Sequence, residues 1–343
     1  MRKKVLVPGG TGAMGVYLIP ELLQMGYQVD VLYLNDVMAA LDDWPLENPY
    51  LSVIQANAMN YAYIEEVLKK EYDAVVDFMV YETPELFEKF LPLYLKNVGH
   101  YIYLSTYRVY ANEEHPVREI SPRLLDVSKD ESLLKSGDYC IYKAQGEDFL
   151  KYSGYDNWTV IRPAITYSKR RFQLVTLEMH LVVRRMMEGK TLVLPEPAMN
   201  VQATMSWAKD VATMFARLVC NPVAKRETYS VCTAEHHSWK EIADIYAKIG
   251  GLKYKVVDTE AFLSVIGADE PHNRRQLVYD RYFDRIMDNS KILNLTGLKQ
   301  SDLMTLERGL AFELKRFPKD FVWYSNATYD RMDKLVAMLN KKV

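Results

Sequence analysis

"KKVLVPGGTGAMGVYLIPELL", residues 3–23, sets glycines at 9, 12 and 15 between an apolar run and a stretch with helical spacing. Val5-Leu6-Val7 reads as a short buried strand, and Met14, Leu18 and Leu22 recur at helical intervals. The glycines therefore lie on a strand-to-helix turn. A helix starting there aims unpaired N–H groups and the positive end of its dipole into the turn, which suits a phosphate. Gly9 permits the tight turn, Gly12 lets a pyrophosphate approach the backbone, and Gly15 lets the helix pack close to the sheet. Thr11 adds a hydroxyl for the phosphate.

Outward from this turn the chain alternates strand and helix. Strands are expected at 27–34, 51–57, 72–80, 100–106 and 158–163. Helices are expected at 14–25, 61–71, 83–99 and 138–154. That alternation implies an α/β fold, a Rossmann-type doubly wound parallel sheet with right-handed crossovers. After Pro163 the pattern loosens into a helix over roughly 174–188, a strand end and helix over 201–219, a strand at 227–233 and an amphipathic helix over 238–251. The expected organisation is a dinucleotide-binding domain over 1–164, to which 201–235 returns. A smaller mixed α/β substrate lobe comprises 165–200 and 236–343. The tail 317–343 has no evident place.

The 343 residues, 49% of them hydrophobic, are enough for one large domain or two modest ones. Forty-three basic and 45 acidic residues leave a net charge of −2 without a long basic block, so nucleic acid is not an expected partner. Cys140, Cys220 and Cys232 form neither a disulfide framework nor a metal spacing, and no metal site is expected. No apolar run is long enough for a membrane span, and the N-terminus enters the first strand without an apolar signal region. A cytoplasmic location is the expectation.

A second motif lies in "YCIYK", which puts Tyr139 and Lys143 four residues apart on one helix face. An ammonium beside a phenol draws its pKa down from about 10, so the tyrosine can exchange a proton with a substrate oxygen. With Gly9-x-x-Gly12-x-x-Gly15, this pair resembles the short-chain dehydrogenase/reductase superfamily in its extended branch of epimerases and dehydratases. "IYLSTYRVY" (102–110) resembles the family's strand ending in Ser/Thr before a Val-Tyr pair. By that register Thr106 takes the hydroxyl position, with Ser105 beside it. "WTVIRPAITYS", "SWAKDVATMFARL" with Asp210, and "DNSKILNLTGLK" resemble three further family stretches, so the likeness runs from residue 3 to about 316.

The resemblance implies a catalytic set of Thr106, Tyr139 and Lys143. It implies NAD or NADP as cofactor, with NAD ahead. The cofactor would contact Gly9, Thr11, Gly12, Ala13, Met14, Gly15, Asn35, Asn57, Met79, Tyr139, Lys143 and Pro163. Departures are visible. The acid that holds an NAD ribose is replaced by Tyr33-Leu34, leaving Asn35 or Asp36 to reach it, and Asn57 stands at the adenine position. Tyr107-Arg108 replaces the Asp-Glu pair of dehydratases, which disfavours water elimination. Ile165 and Ala203 replace two sugar-nucleotide contacts, while Lys169-Arg170-Arg171 and Arg274-Arg275 supply basic groups nearby.

The implied activity is hydride transfer at a secondary alcohol or ketone, an epimerase acting on a sugar nucleotide leading. A reductase of a small carbonyl compound uses the same residues. "YDAVVDFM", "YIYLSTYRVY" and "YDRYFDRIMDNSK" also resemble the chloroplast stem-loop RNA-binding relatives of this family, which implies a non-enzymatic dinucleotide-binding alternative. A homodimer through the helices near 83–99 and 138–154 is the family's frequent assembly.

Overall fold

The computed structural model describes residues 2–35, 43–81, 83–324 and 327–341. Six strands come first: β1 (Lys4–Pro8), β2 (Gln28–Tyr33), β3 (Leu51–Gln55), β4 (Ala74–Asp77), β5 (Tyr101–Leu104) and β6 (Trp158–Ile161). The second half adds β7 (Ile165–Tyr167), β8 (Thr191–Pro195), β9 (Gln202–Ala203), β10 (Met205–Trp207), β11 (Glu227–Tyr229), β12 (His237–Ser238) and β13 (Lys253–Val257). The main sheet runs β11-β6-β5-β4-β1-β2-β3, and every pair is parallel. Chain order reverses at β1, which has β2 on one side and β4 on the other. A ligand crevice opens at the carboxyl ends of such strands.

Alternation along β1 sorts its side chains between two cores. Val5 and Val7 face the helices Gly15–Gln24, Ala208–Ala216 and Ser290–Thr296, packing with Val16, Ile19, Val211, Phe215 and Ile292. Leu6 faces the opposite side with Ile64, Phe90, Tyr94 and Val160. Each fully buried aliphatic or aromatic side chain contributes about 1.5–3 kcal/mol to keeping the layers together. The helix Gly15–Gln24 contains Pro20, which cannot donate to the Val16 carbonyl. The Trp44 indole N–H takes that carbonyl at 3.2 Å.

A third core gathers the rest of the chain around the parallel pair β8–β13, with the helices Trp239–Gly250, Thr259–Ile266, Leu306–Lys315 and Ala327–Lys341. The tail thus has a place. Tyr329 and Met332 are buried, and Asp333 takes Arg185 Nη2 at 2.7 Å and Lys190 Nζ at 2.8 Å. The helix expected at 174–188 is shorter, Met179–Met187. Leu174 and Leu177 exchange two backbone hydrogen bonds of 2.9 Å, which closes a turn instead of a first helical turn.

Across the junction, buried Glu313 accepts from Trp207 Nε1 at 2.5 Å, from the Lys169 N–H at 2.7 Å and from the Tyr17 hydroxyl. Among the described residues no helix is long and apolar enough to cross a membrane. On the helix Pro84–Asn97, Phe87, Phe90, Leu91, Leu93, Tyr94 and Leu95 are buried within the chain, and Glu85, Glu88, Lys89 and Lys96 are exposed. These apolar side chains therefore serve the core of the chain.

Candidate active site

The glycine turn follows β1 and precedes the helix Gly15–Gln24. Gly9 has φ +71°, and a Cβ there would lie 3.2 Å from Met79 Sδ. A Cβ on Gly15 would lie 1.7 Å from the Gly10 carbonyl oxygen. The close approach at Gly15 is thus to the turn's own backbone rather than to the sheet. Gly10, not singled out in the sequence, is also constrained, since its Cβ would come 2.8 Å from Val7 Cγ1. Gly12 is different. It is exposed, and a Cβ there would meet nothing within 4 Å. No side chain caps the helix N-terminus at Met14. Open space in front of uncapped N–H groups fits a pyrophosphate.

A cavity of about 270 Å³ lies there, walled by Gly9, Gly12, Ala13, Met14, Gly15, Phe78, Leu104, Thr166 and Arg171. Arg170 Nη1 donates to the Thr11 carbonyl at 2.6 Å, fastening the turn to the second half of the chain. Met79 is half-buried at the end of β4, and its N–H bonds Asp77 Oδ1 at 2.9 Å. Asn57 is exposed and caps its own turn through a 2.8 Å bond from the Met59 N–H. Asn35 is exposed just past β2. Asp36 lies outside the described residues. The residues at the turn therefore fit a dinucleotide, and the ribose end shows no acid among the described residues.

Thr106 and Tyr139 meet at the next cavity, of about 230 Å³, whose walls include Met14, Ser105, Thr106, Arg108, Tyr139, Pro163, Ile165, Arg171 and Arg281. The two cavities share Met14, Leu104, Thr166 and Arg171. Thr106 begins the 3₁₀ turn Tyr107–Val109, its Oγ1 accepting the Arg108 N–H at 3.2 Å. That leaves the hydroxyl proton free to donate. Thr106 and Tyr139 line the same cavity, and Thr106 helps draw the Tyr139 phenol pKa down. Ser105 instead donates to buried Glu147 at 2.5 Å, and Glu147 is clamped by Arg162 at 2.6 and 2.7 Å. Of the two adjacent hydroxyls, Thr106 is the one turned to the phenol.

Tyr139 opens the helix Tyr139–Tyr152, capped by Asp138. Burial holds its phenol above the ordinary range, while Arg108, Arg171 and Thr106 draw it back. Arg108 lies over the ring with Cζ 5.2 Å from the centroid. Lys143, expected to be the cation that acts on the phenol, is enclosed elsewhere. Its Nζ donates to the Leu104 carbonyl at 2.7 Å and lies among the rings of Tyr103, Tyr139 and Tyr142, at 4.8, 5.9 and 5.9 Å. Burial pulls its pKa down to about 8. It lines neither cavity.

The basic groups noted in the sequence separate by role. Arg171 lines both cavities, and Lys169 pairs with Asp43 at 2.6 Å. Arg274 pairs with Glu260 on the surface. Sequence reading missed Asp280, a fully buried carboxylate that lies within ion-pair distance of Arg108, Arg281 and Arg285. "YDRYFDR" (279–285) carried the only signal, alternating acid and arginine near an aromatic. Among the described residues no group of three or more His, Cys, Asp or Glu is placed to hold a metal.

The family described as NAD dependent epimerase/dehydratase matches residues 5–232. The chloroplast stem-loop binding protein of 41 kDa b from Arabidopsis thaliana is 25% identical over 258 residues, 73% of this chain. The match spans 64% of that relative's length. The enzyme WbmH of Bordetella bronchiseptica, solved with NAD+, superposes with a TM-score of 0.68 at 20% identity, covering 94% of this chain and 100% of that one. UDP-glucuronic acid 4-epimerase from Bacillus cereus, solved with UDP-glucuronic acid and NAD, gives 0.68 at 16% identity, covering 97% and 99%. These two likenesses concern the fold.

Proposed function

The chain belongs to the NAD dependent epimerase/dehydratase family, and we propose that it is an NAD(P)-dependent epimerase acting at a secondary alcohol of a sugar nucleotide. The observation that carries this reading is the continuity of the glycine-turn cavity with the one holding Thr106 and Tyr139. A nicotinamide dinucleotide supplies hydride transfer when bound. The chain's own residues do the rest. Gly9, Gly12 and Gly15, with Thr11, Ala13 and Met14, present the turn's backbone to the pyrophosphate. Pro163 would wall the nicotinamide end, Met79 would flank the cofactor beside Gly9, and Asn35 and Asn57 would face its ribose and adenine ends. Tyr139 takes the proton from the substrate hydroxyl and returns it, and Thr106 donates to the same oxygen and fixes its direction. Lys143 supports the Tyr139 face of the helix and holds the end of β5 through Leu104.

In this reading residues 1–164 with 201–235 serve the cofactor, and 165–200 with 236–343 serve the substrate. The compartment expected is the cytoplasm, and a homodimer is the proposed assembly. A reductase would use the same residues and release its cofactor each turnover. A stem-loop RNA-binding role, after the name of the Arabidopsis relative, is opposed by a net charge of −2.

The test is proton NMR of anomeric signals after incubating the protein with NAD+ and a panel of uridine diphosphate sugars. Appearance of an epimer, abolished in Tyr139→Phe with dinucleotide binding retained, is the expected result. An unchanged rate in Tyr139→Phe removes the phenol from the mechanism.

A further inference from the structure

Tyr139 stands between two cavities. The inner one, about 230 Å³, has Arg108, Arg171 and Arg281 in its wall. The outer one, about 220 Å³, shares Arg108, Tyr139 and Gln276 with it and adds Arg275 and His272. Among the described residues lining the two, Asp138 is the only carboxylate. Asp280 is fully buried behind the wall, where one carboxylate faces three guanidinium groups, those of Arg108, Arg281 and Arg285.

The arginines differ in how fully they are engaged. Arg281 is heavily engaged, with bonds to Val175 O, Tyr107 Oη, Asp280 and Gln173. Arg108 is not. Its buried Nε has no hydrogen-bond partner and lies 3.4 Å from Asp280, and its Nη2 reaches Asp138 only at 3.5 Å. Among the described residues the Arg171 side chain pairs at 3.4 Å with Glu178, and it is about a third exposed. Guanidinium groups with donors in hand match a planar or tetrahedral oxyanion through paired N–H···O bonds.

We infer that the substrate carries an anionic group, a carboxylate or a phosphate monoester, at the end that reacts, held beside Tyr139 by Arg108 and Arg171. This charge is additional to any carried by a nucleotide portion, and it deepens the reading of Tyr139 as the reacting group. Arg275 lines the neighbouring cavity and favours the same sign of charge. Once bound, the anion completes the neutralisation that Asp280 and Asp138 begin.

Saturation-transfer NMR with glucuronate, glucose 6-phosphate and glucose, each at equal millimolar concentration, tests this on the intact protein. Glucuronate or glucose 6-phosphate should bind, and glucose should bind at least tenfold more weakly. The stronger of the two anions identifies carboxylate or phosphate. Arg171→Gln, at a site about a third exposed, should weaken the anion at least fivefold, and Arg275→Gln provides a second variant should the first misfold. Equal binding of glucose, no binding of either anion, or anion binding unchanged in both variants overturns the inference. Dinucleotide binding measured on the same samples reports separately on the proposed function, so a failure of that reading is distinguishable.

Discussion

The Lys143 ammonium donates to the Leu104 carbonyl at 2.7 Å, and that bond keeps it out of the cavity that Tyr139 faces. The positive charge acting on the phenol comes from Arg108 and Arg171. Both favour the phenolate, so removing one raises the Tyr139 pKa. Turnover in the alcohol-oxidising direction needs the phenolate as base. Arg171→Gln should therefore shift the ascending limb of the pH–rate profile to higher pH. A profile of kcat against pH checks this, and an unmoved limb would separate Arg171 from the phenol.

The hydroxyls of Ser105 and Thr106 serve different ends. Thr106→Ala removes the donor beside Tyr139 and should slow turnover about 100-fold with little loss of stability. Ser105→Ala leaves Glu147 short of one buried bond and should cost about 1–3 kcal/mol of stability with turnover nearly unchanged. Steady-state kinetics and urea melts on the two variants distinguish them, and the reverse pattern would exchange their roles.

Two glycines two residues apart should respond oppositely. Gly12→Val puts a side chain into the open space before the helix N-terminus, so it should abolish dinucleotide binding and leave the melting temperature near wild type. Gly10→Ala forces a methyl to within 2.8 Å of Val7 and 3.0 Å of Val31, and overpacking of that kind costs about 1–3 kcal/mol. Calorimetric binding and thermal melts measure both. A Gly12→Val variant that binds dinucleotide tightly would remove the turn from the cofactor site.

His100 sets an acid limit on the fold. The Cys220 N–H donates to its Nδ1 at 3.1 Å, and its Nε2–H can donate to Thr159 Oγ1 at 2.7 Å, which in turn donates to Ala224 O. This chain needs a neutral ring, and burial pulls the folded-state pKa down to about 3. Between pH 6.5 and 3 the unfolded chain binds the extra proton. The contribution is therefore full above about 6.5 and is lost as pH falls, by up to about 1.4 kcal/mol per pH unit. His100→Asn has no proton to gain there, so it should be less stable at neutral pH with a shallower acid slope. Equal slopes in urea melts from pH 7 to 4 would contradict this.

Much of this was legible in the sequence because it was local. The alternation of Val5, Leu6 and Val7 and the spacing of the glycines gave the strand, turn and helix, and the tyrosine motif gave its helix. What was not legible depends on distance along the chain. Asp280 meets Arg108 across 172 residues, and nothing in "YDRYFDR" says which arginines one carboxylate will face. Lys143 has the family spacing from Tyr139, yet its ammonium turns to β5, an orientation set by packing among Tyr103, Tyr139 and Tyr142. The tail docks through Tyr329 and Met332, with Leu335, Val336 and Leu339 packed on the same core; that helical stripe marks a buried face but not the distant elements it meets.

The most direct measurement is mass spectrometry and absorbance of the small molecules released on denaturing the purified protein, followed by calorimetric titration of any empty protein with NAD+ and NADPH. Expected is NAD(H) near one per chain, or saturable binding of an added dinucleotide at the glycine turn that Gly12→Val abolishes. A protein that releases no dinucleotide and binds neither would contradict the assignment of the turn and, with it, the hydride chemistry proposed for Thr106 and Tyr139.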